Sequence, residues 1–252
     1  MINSEKKPAA ENPWYVLATL FEDQLECACY WNAWASQEMS NEEKAISRNS
    51  GYSLPGFDIK WHKLQKEAEE LFKKRLPDAT LPNPSDIVDF SNTIFPNDID
   101  FKNFFIPRMT SFQGANFSGD VVFLSTIFAG TANFSGAVFA AAATFIGTTF
   151  SGDAYFMETT FSGDANFGRT VFSEDAIFME TTFSGDTNFG KTVFSGTSDF
   201  PETKFHKKVF FDNATFNEPC DFRNARFIKA YPILSGTQLH SKTTVTAEDE
   251  YW

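Results

Sequence analysis

FMETTFSGDANFGRTVFSEDAI, residues 156–177, is followed without a gap by FMETTFSGDTNFGKTVFSGTSD, residues 178–199, and sixteen of the 22 positions agree. The first block places phenylalanine at Phe156, Phe161, Phe167 and Phe172, the second at Phe178, Phe183, Phe189 and Phe194, so the spacing alternates five and six. Two residues before them stand Ala154, Thr159, Ala165 and Thr170, then Ala176, Thr181, Thr187 and Thr192. A large and a small residue two apart face the same side of an extended segment, which is the period of a strand and not of a helix. A repeat must contain a whole supersecondary unit before stacking can bury its apolar side. The quoted block therefore reads as one coil with four short sides, and residues 22 apart should lie above one another at the ~4.8 Å spacing of adjacent strands.

The same alternation extends outward on both sides. It begins at Phe90, passes through Phe95, Phe101, Ile106, Phe112, Phe117, Phe123, Phe128, Phe134, Phe139, Phe145 and Phe150, and continues beyond the quoted blocks through Phe200, Phe205, Phe211, Phe216 and Phe222 to Phe227. Ile106 is the one exception. A count of 31 phenylalanines against 6 tyrosines and 5 tryptophans is what a repeated packing position produces and a mixed core does not. The expected fold is mainly β: a four-sided parallel β-helix of about six turns at ~4.8 Å each, with an α-helical segment before it. Its unpaired backbone edges should be confined to the two ends.

Motifs such as Ala132-Asn-Phe-Ser-Gly136 and Ala165-Asn-Phe-Gly-Arg169 resemble the pentapeptide-repeat family over roughly residues 88–227. The resemblance implies a four-sided right-handed β-helix with an inward Leu or Phe at the centre of each unit and a small residue two before it. The Phe-rich pattern, with a sixth residue in every second unit, is similar to a subgroup of such proteins. The insertion should widen alternate corners, such as Ser162-Gly163-Asp164 and Ser184-Gly185-Asp186.

Three regions follow. Residues 1–85 read as an α-helical segment: Asn12-Pro13 is a helix start, Trp14 to Trp34 an amphipathic helix, Ser40 the start of a short helix ending near Asn49, and Asp58 to Arg75 another helix. This segment is expected to cap the first turn or to serve as an interaction module, and it is where two copies would pair as a homodimer. Its opening, Asn12-Pro-Trp-Tyr-Val-Leu-Ala-Thr-Leu, resembles the start of a group of bacterial pentapeptide-repeat proteins, which implies no activity. Residues 86–234 form the rod, with Tyr231, Ile233 and Leu234 expected over its last turn, and residues 235–252 a flexible polar tail.

A formal net charge of −12 argues against direct nucleic-acid binding and anionic membranes. Glu22, Asp23 and Glu26 interrupt the best apolar window, so no membrane span is expected. No signal-peptide pattern opens the chain, and Cys27, Cys29 and Cys220 suggest no disulfide framework, which together point to the cytoplasm. His62, His206 and His240 lie in three different segments, and the Ser-Gly-Asp corners lack the ligand pattern of calcium loops. No catalytic residue, metal or cofactor is expected.

The corners carry the charge. A 22-residue period stacks Glu158, Glu180 and Glu202 in one column, Asp164 and Asp186 in a second, and Asp153 and Asp175 in a third, while Arg169 and Lys191 share the fourth corner. Like charges at strand spacing are mildly destabilising, so a fold alone should not select them. The functional expectation is a non-catalytic protein-interaction scaffold that presents an acidic rod to a protein partner. The alternative, which the family resemblance supplies, is a DNA mimic that binds a DNA-binding protein such as a type II topoisomerase.

Overall fold

The computed structural model describes residues 6–20, 24–40, 61–229 and 231–244. The short helix expected from Ser40, the turn at Leu54-Pro55-Gly56, the first residues of the helix expected from Asp58 and the last eight residues lie outside the described residues.

Two-residue strands follow one another around a four-sided coil, and each pairs in parallel with the strand one coil away. Face one holds strands from Val88–Asp89 through Ala132–Asn133, Ala154–Tyr155 and Ala176–Ile177 to Cys220–Asp221. Face two runs from Thr93–Phe95 to Arg226–Phe227, face three from Ile99–Asp100 to Val209–Phe210, and face four from Phe105–Ile106 to Thr215–Phe216. Register is constant: Ala154 pairs with Ala132 and Ala176, and Phe172 with Phe150 and Phe194. The coil is thus 22 residues long, and there are about six turns.

Every expected inward phenylalanine is buried, and Phe134 to Phe200 are wholly inaccessible. Rings stack along each column, as Phe156 on Phe178 at 4.8 Å and 1°, and meet edge to face across the rod, as Phe167 against Phe178 at 5.7 Å and 90°. Both are favourable quadrupole arrangements, worth about 0.5–1.5 kcal/mol per pair beyond area burial. The small column is buried with them, and its threonines before the phenylalanines of faces two and four add a bond that periodicity alone does not reveal. Thr159, Thr181 and Thr203 donate their hydroxyls to the carbonyls of Phe134, Phe156 and Phe178 in the coil below, and Thr148, Thr170 and Thr192 do the same on the opposite side. Each such carbonyl also accepts the backbone N–H three residues on, as Phe156 does from Thr159.

Ile106 departs from the array because the first coil exchanges its large and small positions. Phe104 stands where later coils have threonine, and both residues are buried. Trp31 packs on Phe104 at 5.4 Å.

The helices α1 (Pro13–Ala18), α2 (Gln24–Ala35) and α3 (Trp61–Arg75) lie at this end. The single helix expected from Trp14 to Trp34 is in fact two: α1 stops at Thr19, whose hydroxyl bonds back to Tyr15 O and whose backbone has left helical geometry. Asn12 caps α1 by accepting from the Trp14 and Tyr15 amides, and its Nδ2 donates to Asp89 O and Thr93 Oγ1 of the first coil. Asn32 accepts the Phe105 amide and donates to Asn103 O, while Trp31 Nε1 donates to Phe105 O. Strand Lys7–Pro8 pairs with Thr93–Ile94, and its proline offers no N–H to a further strand. Backbone groups that a truncated solenoid would leave open are satisfied here by helix side chains and one added strand.

The other end corrects the expected tail. Residues 233–244 run as part of a further coil, with Ile233 bridged to Phe210, Gln238 to Thr215 and Thr244 to Asp221. The offset is 23 instead of 22, so one residue has been added between Phe227 and Ile233. Open edge groups of the last full coil drive this pairing: the Phe211, Phe216 and Phe222 amides donate to Ile233, Gln238 and Thr244. Of the three residues expected over the last turn, Ile233 pairs with its open edge, while the side chains of Tyr231, Ile233 and Leu234 all stay exposed.

Candidate interaction surface

The four corners fall into two kinds. Five-residue spacings turn through a single left-handed residue: Asn92, Gly114, Gly136, Glu158, Glu180, Glu202 and Asn224 between faces one and two, and Asn103, Ser125, Gly147, Arg169, Lys191 and Asn213 between faces three and four. These corners are diagonally opposite. Six-residue spacings form the other two, and there the coils approach closely: a Cβ on Gly163 or Gly185 would come within 2.4 or 2.3 Å of the backbone beneath.

This geometry separates the expected acidic residues into two groups. At the wide corners the aspartates are structural. Asp164 Oδ1 accepts the Asp186 amide and Asp186 Oδ1 the Lys208 amide one coil on, while Asp175 Oδ1 accepts both the amide and the hydroxyl of Thr197. Asp98 and Asp120 do the same for Asp120 and Ala142. Asp153 accepts the Tyr155 hydroxyl, which with partial burial raises that phenol's pKa. The expectation that a fold alone would not select stacked acids is therefore wrong for Asp164, Asp175 and Asp186, because each of these carboxylates satisfies a corner N–H that no ladder reaches.

Glu158, Glu180 and Glu202 are different. They are exposed, sit at φ values of 56°, 56° and 57°, and have no partner among the described residues. A side chain other than glycine or asparagine in this region costs about 1–2 kcal/mol, and other coils use Gly114, Gly136, Asn92 and Asn224 at the same corner. Beside the glutamates lie Met157 and Met179, the latter 39% exposed. Together with Gly114 and Gly136 they line an open groove of about 540 Å³.

Past this ridge a paired cation and acid follow. Arg223 pairs with Asp221 at 2.7 Å; burial opposes ionisation of Asp221, but the bonds from Arg223 prevail and hold its pKa low. Asp199, stacked below, has its pKa raised by burial and then by the charges of Asp221 and Asp175. Burial also pushes the Cys220 thiol well up, which disfavours the reactive thiolate.

Among the described residues no cluster of three or more His, Cys, Asp or Glu could hold a metal, and no helix is long and apolar enough to cross a membrane. Sequence reasoning did not find the two methionines or the Asn-Phe-Gly runs at 166–168 and 188–190 as surface features. The signal was present in the repetition of both across consecutive coils, where neighbouring coils carry other residues. Residues 108–149, 145–193 and 189–232 match the family model described as pentapeptide repeats (9 copies). No curated protein and no solved structure matches the chain.

Proposed function

Since the chain belongs to the pentapeptide-repeat family through the rod, we propose that it is a non-catalytic protein-interaction scaffold, engaged by a partner protein along the ridge of Glu158, Glu180 and Glu202. One observation carries this reading: three unpartnered carboxylates occupy left-handed corners at which the backbone itself favours glycine or asparagine. Strain kept at the surface without a structural return is a pointer to function. The flanking Met157 and Met179 add adaptable apolar area, so the complementary partner surface carries lysine or arginine beside an apolar patch.

A rod filled by phenylalanine offers no closed cleft in which to hold a reacting group. DNA mimicry ranks second. The ridge carries one carboxylate per coil, or about one per 4.8 Å, against one phosphate per roughly 3.4 Å of each DNA strand. Arg169 and Lys191 on the opposite corner, Lys204 beside Glu202 on face two, and Lys207 and Lys208 just after it interrupt the field that a mimic needs.

The test is a pull-down with the intact chain and with the Glu158→Lys, Glu180→Lys, Glu202→Lys variant at low and moderate salt. A basic partner that is weakened by salt and lost with the variant supports the proposal, and a type II topoisomerase among such partners promotes mimicry. A partner set unchanged by the variant removes the ridge from the account.

A further inference from the structure

Diagonally across the rod from the glutamate ridge is a trough of about 560 Å³. Its floor is cut by Gly168 and Gly190, at a position where the coil before has Ile146 and the coil after has Asp212. One wall is Asn166 and Asn188, which fold their Oδ1 atoms onto the Gly168 and Gly190 amides at 3.0 and 2.7 Å. That bond fixes each side chain and leaves its Nδ2 without a partner among the described residues. The other wall is Arg169 and Lys191, exposed at φ values of 59° and 60° and likewise without a partner among the described residues. Ile146 closes one end and Phe210 the other.

The walls therefore offer two carboxamide N–H₂ groups, a guanidinium and an ammonium, all donors. The sole carboxylate in the lining, Asp212, stands at the Phe210 end. From Ile146 to Asp212 the floor crosses three coil steps, about 14 Å at ~4.8 Å each, which an extended chain of four or five residues spans at ~3.3 Å per residue. We propose that this trough is a second binding site, of opposite sign to the glutamate ridge, which takes an extended acidic peptide segment of a partner protein. Carboxylates of the segment lie between the asparagine amides and the Arg169 and Lys191 heads, and an apolar side chain at each end rests on Ile146 and Phe210. Guanidinium and carboxylate match in a planar, two-bond geometry, and the asparagine amides arrive already oriented, which reduces the ordering that binding requires. Charged corners again replace the glycine or asparagine that the backbone prefers, as Gly147 and Asn213 show in the flanking coils.

The probe is a fluorescein-labelled, C-amidated pentapeptide Leu-Glu-Glu-Glu-Phe, titrated with the intact chain by fluorescence anisotropy. Two variants separate charge from shape. Arg169→Glu, Lys191→Glu keeps the fold, since glutamate already occupies left-handed corners at Glu158 and Glu180. Gly168→Leu, Gly190→Leu fills the trough and leaves every charge in place; the nearest atoms to an added Cβ are the side-chain oxygens of Asn166 and Asn188, at 3.0 and 2.9 Å. Saturable binding that each variant weakens by about tenfold or more, with no binding of Leu-Lys-Lys-Lys-Phe, supports the site. Failure of the acidic peptide to bind the intact chain overturns it. So does binding indifferent to the leucine pair, or a sulfated oligosaccharide that binds as tightly and is equally indifferent, since either means general attraction of polyanions. Circular dichroism on both variants confirms the fold, and Glu158→Lys, Glu180→Lys, Glu202→Lys, on the other corner, should not weaken binding.

Discussion

Replacing Glu158, Glu180 and Glu202 together by glycine should make the protein more stable and a poorer binder. Each glutamate sits in left-handed geometry at a cost of about 1–2 kcal/mol. Glycine removes that cost but gains freedom in the unfolded chain, which offsets about 0.4–1 kcal/mol. The net gain is about 0.5–1 kcal/mol per corner, or on the order of 2 kcal/mol for three. Gly136, in the same column at φ 65° with no atom within 4 Å of where its Cβ would be, shows that the coil accepts glycine there. Relief of repulsion between stacked carboxylates acts in the same direction and should fade with salt. With a urea slope of about 2 kcal/mol per M, the midpoint should rise by about 1 M, read by far-ultraviolet circular dichroism at low and high salt. A midpoint that falls would refute the reasoning, because it would mean that the glutamates are held for the fold and not in spite of it.

Phe167→Ala should cost about 3–5 kcal/mol in the same titration, since its ring is wholly buried, stacks on Phe145 at 4.7 Å and meets Phe178 edge to face; a variant that melts like the parent contradicts the inward array. Thr181→Val should cost only about 1 kcal/mol, because Phe156 O loses the hydroxyl but keeps the Thr159 amide. Asp199→Asn should stabilise the protein at neutral pH. The folded state raises the pKa of Asp199, so its contribution is intact below the usual carboxylate range and lost as pH rises through the raised value. Melting temperatures of variant and parent should therefore converge as pH falls into the acid range, and a gap that widens there counts against this burial.

Much of the rod was legible because one rule is applied at every coil. A 22-residue identity and an alternating spacing leave few foldings that bury the phenylalanines, and the widened corners at Ser162-Gly163-Asp164 follow from the same arithmetic. What escaped was set by backbone direction or by single bonds. Periodicity cannot tell that Asp164 accepts an amide from the next coil while Glu158 accepts nothing; both read as stacked acids. It also could not reach residues 233–244, where leucine replaces phenylalanine and one added residue shifts the register. The break between α1 and α2 was hidden because apolar residues continue through it, although Thr19 has already left the helix. The trough beside Arg169 depends on the absence of side chains at Gly168 and Gly190, and a reading that looked for chemistry-bearing residues passed over it.

The central claim is that partners meet the glutamate ridge, and site-directed photocrosslinking tests it most directly. A benzophenone amino acid placed at Met157 or Met179, both beside the ridge, is compared with one at Ser162 on the face-two to face-three corner. The account predicts crosslinks to a basic protein from Met157 and Met179 but not from Ser162, abolished when Glu158, Glu180 and Glu202 are changed to lysine. Equal crosslinking from all three positions, or crosslinks that survive the lysine changes, would contradict it.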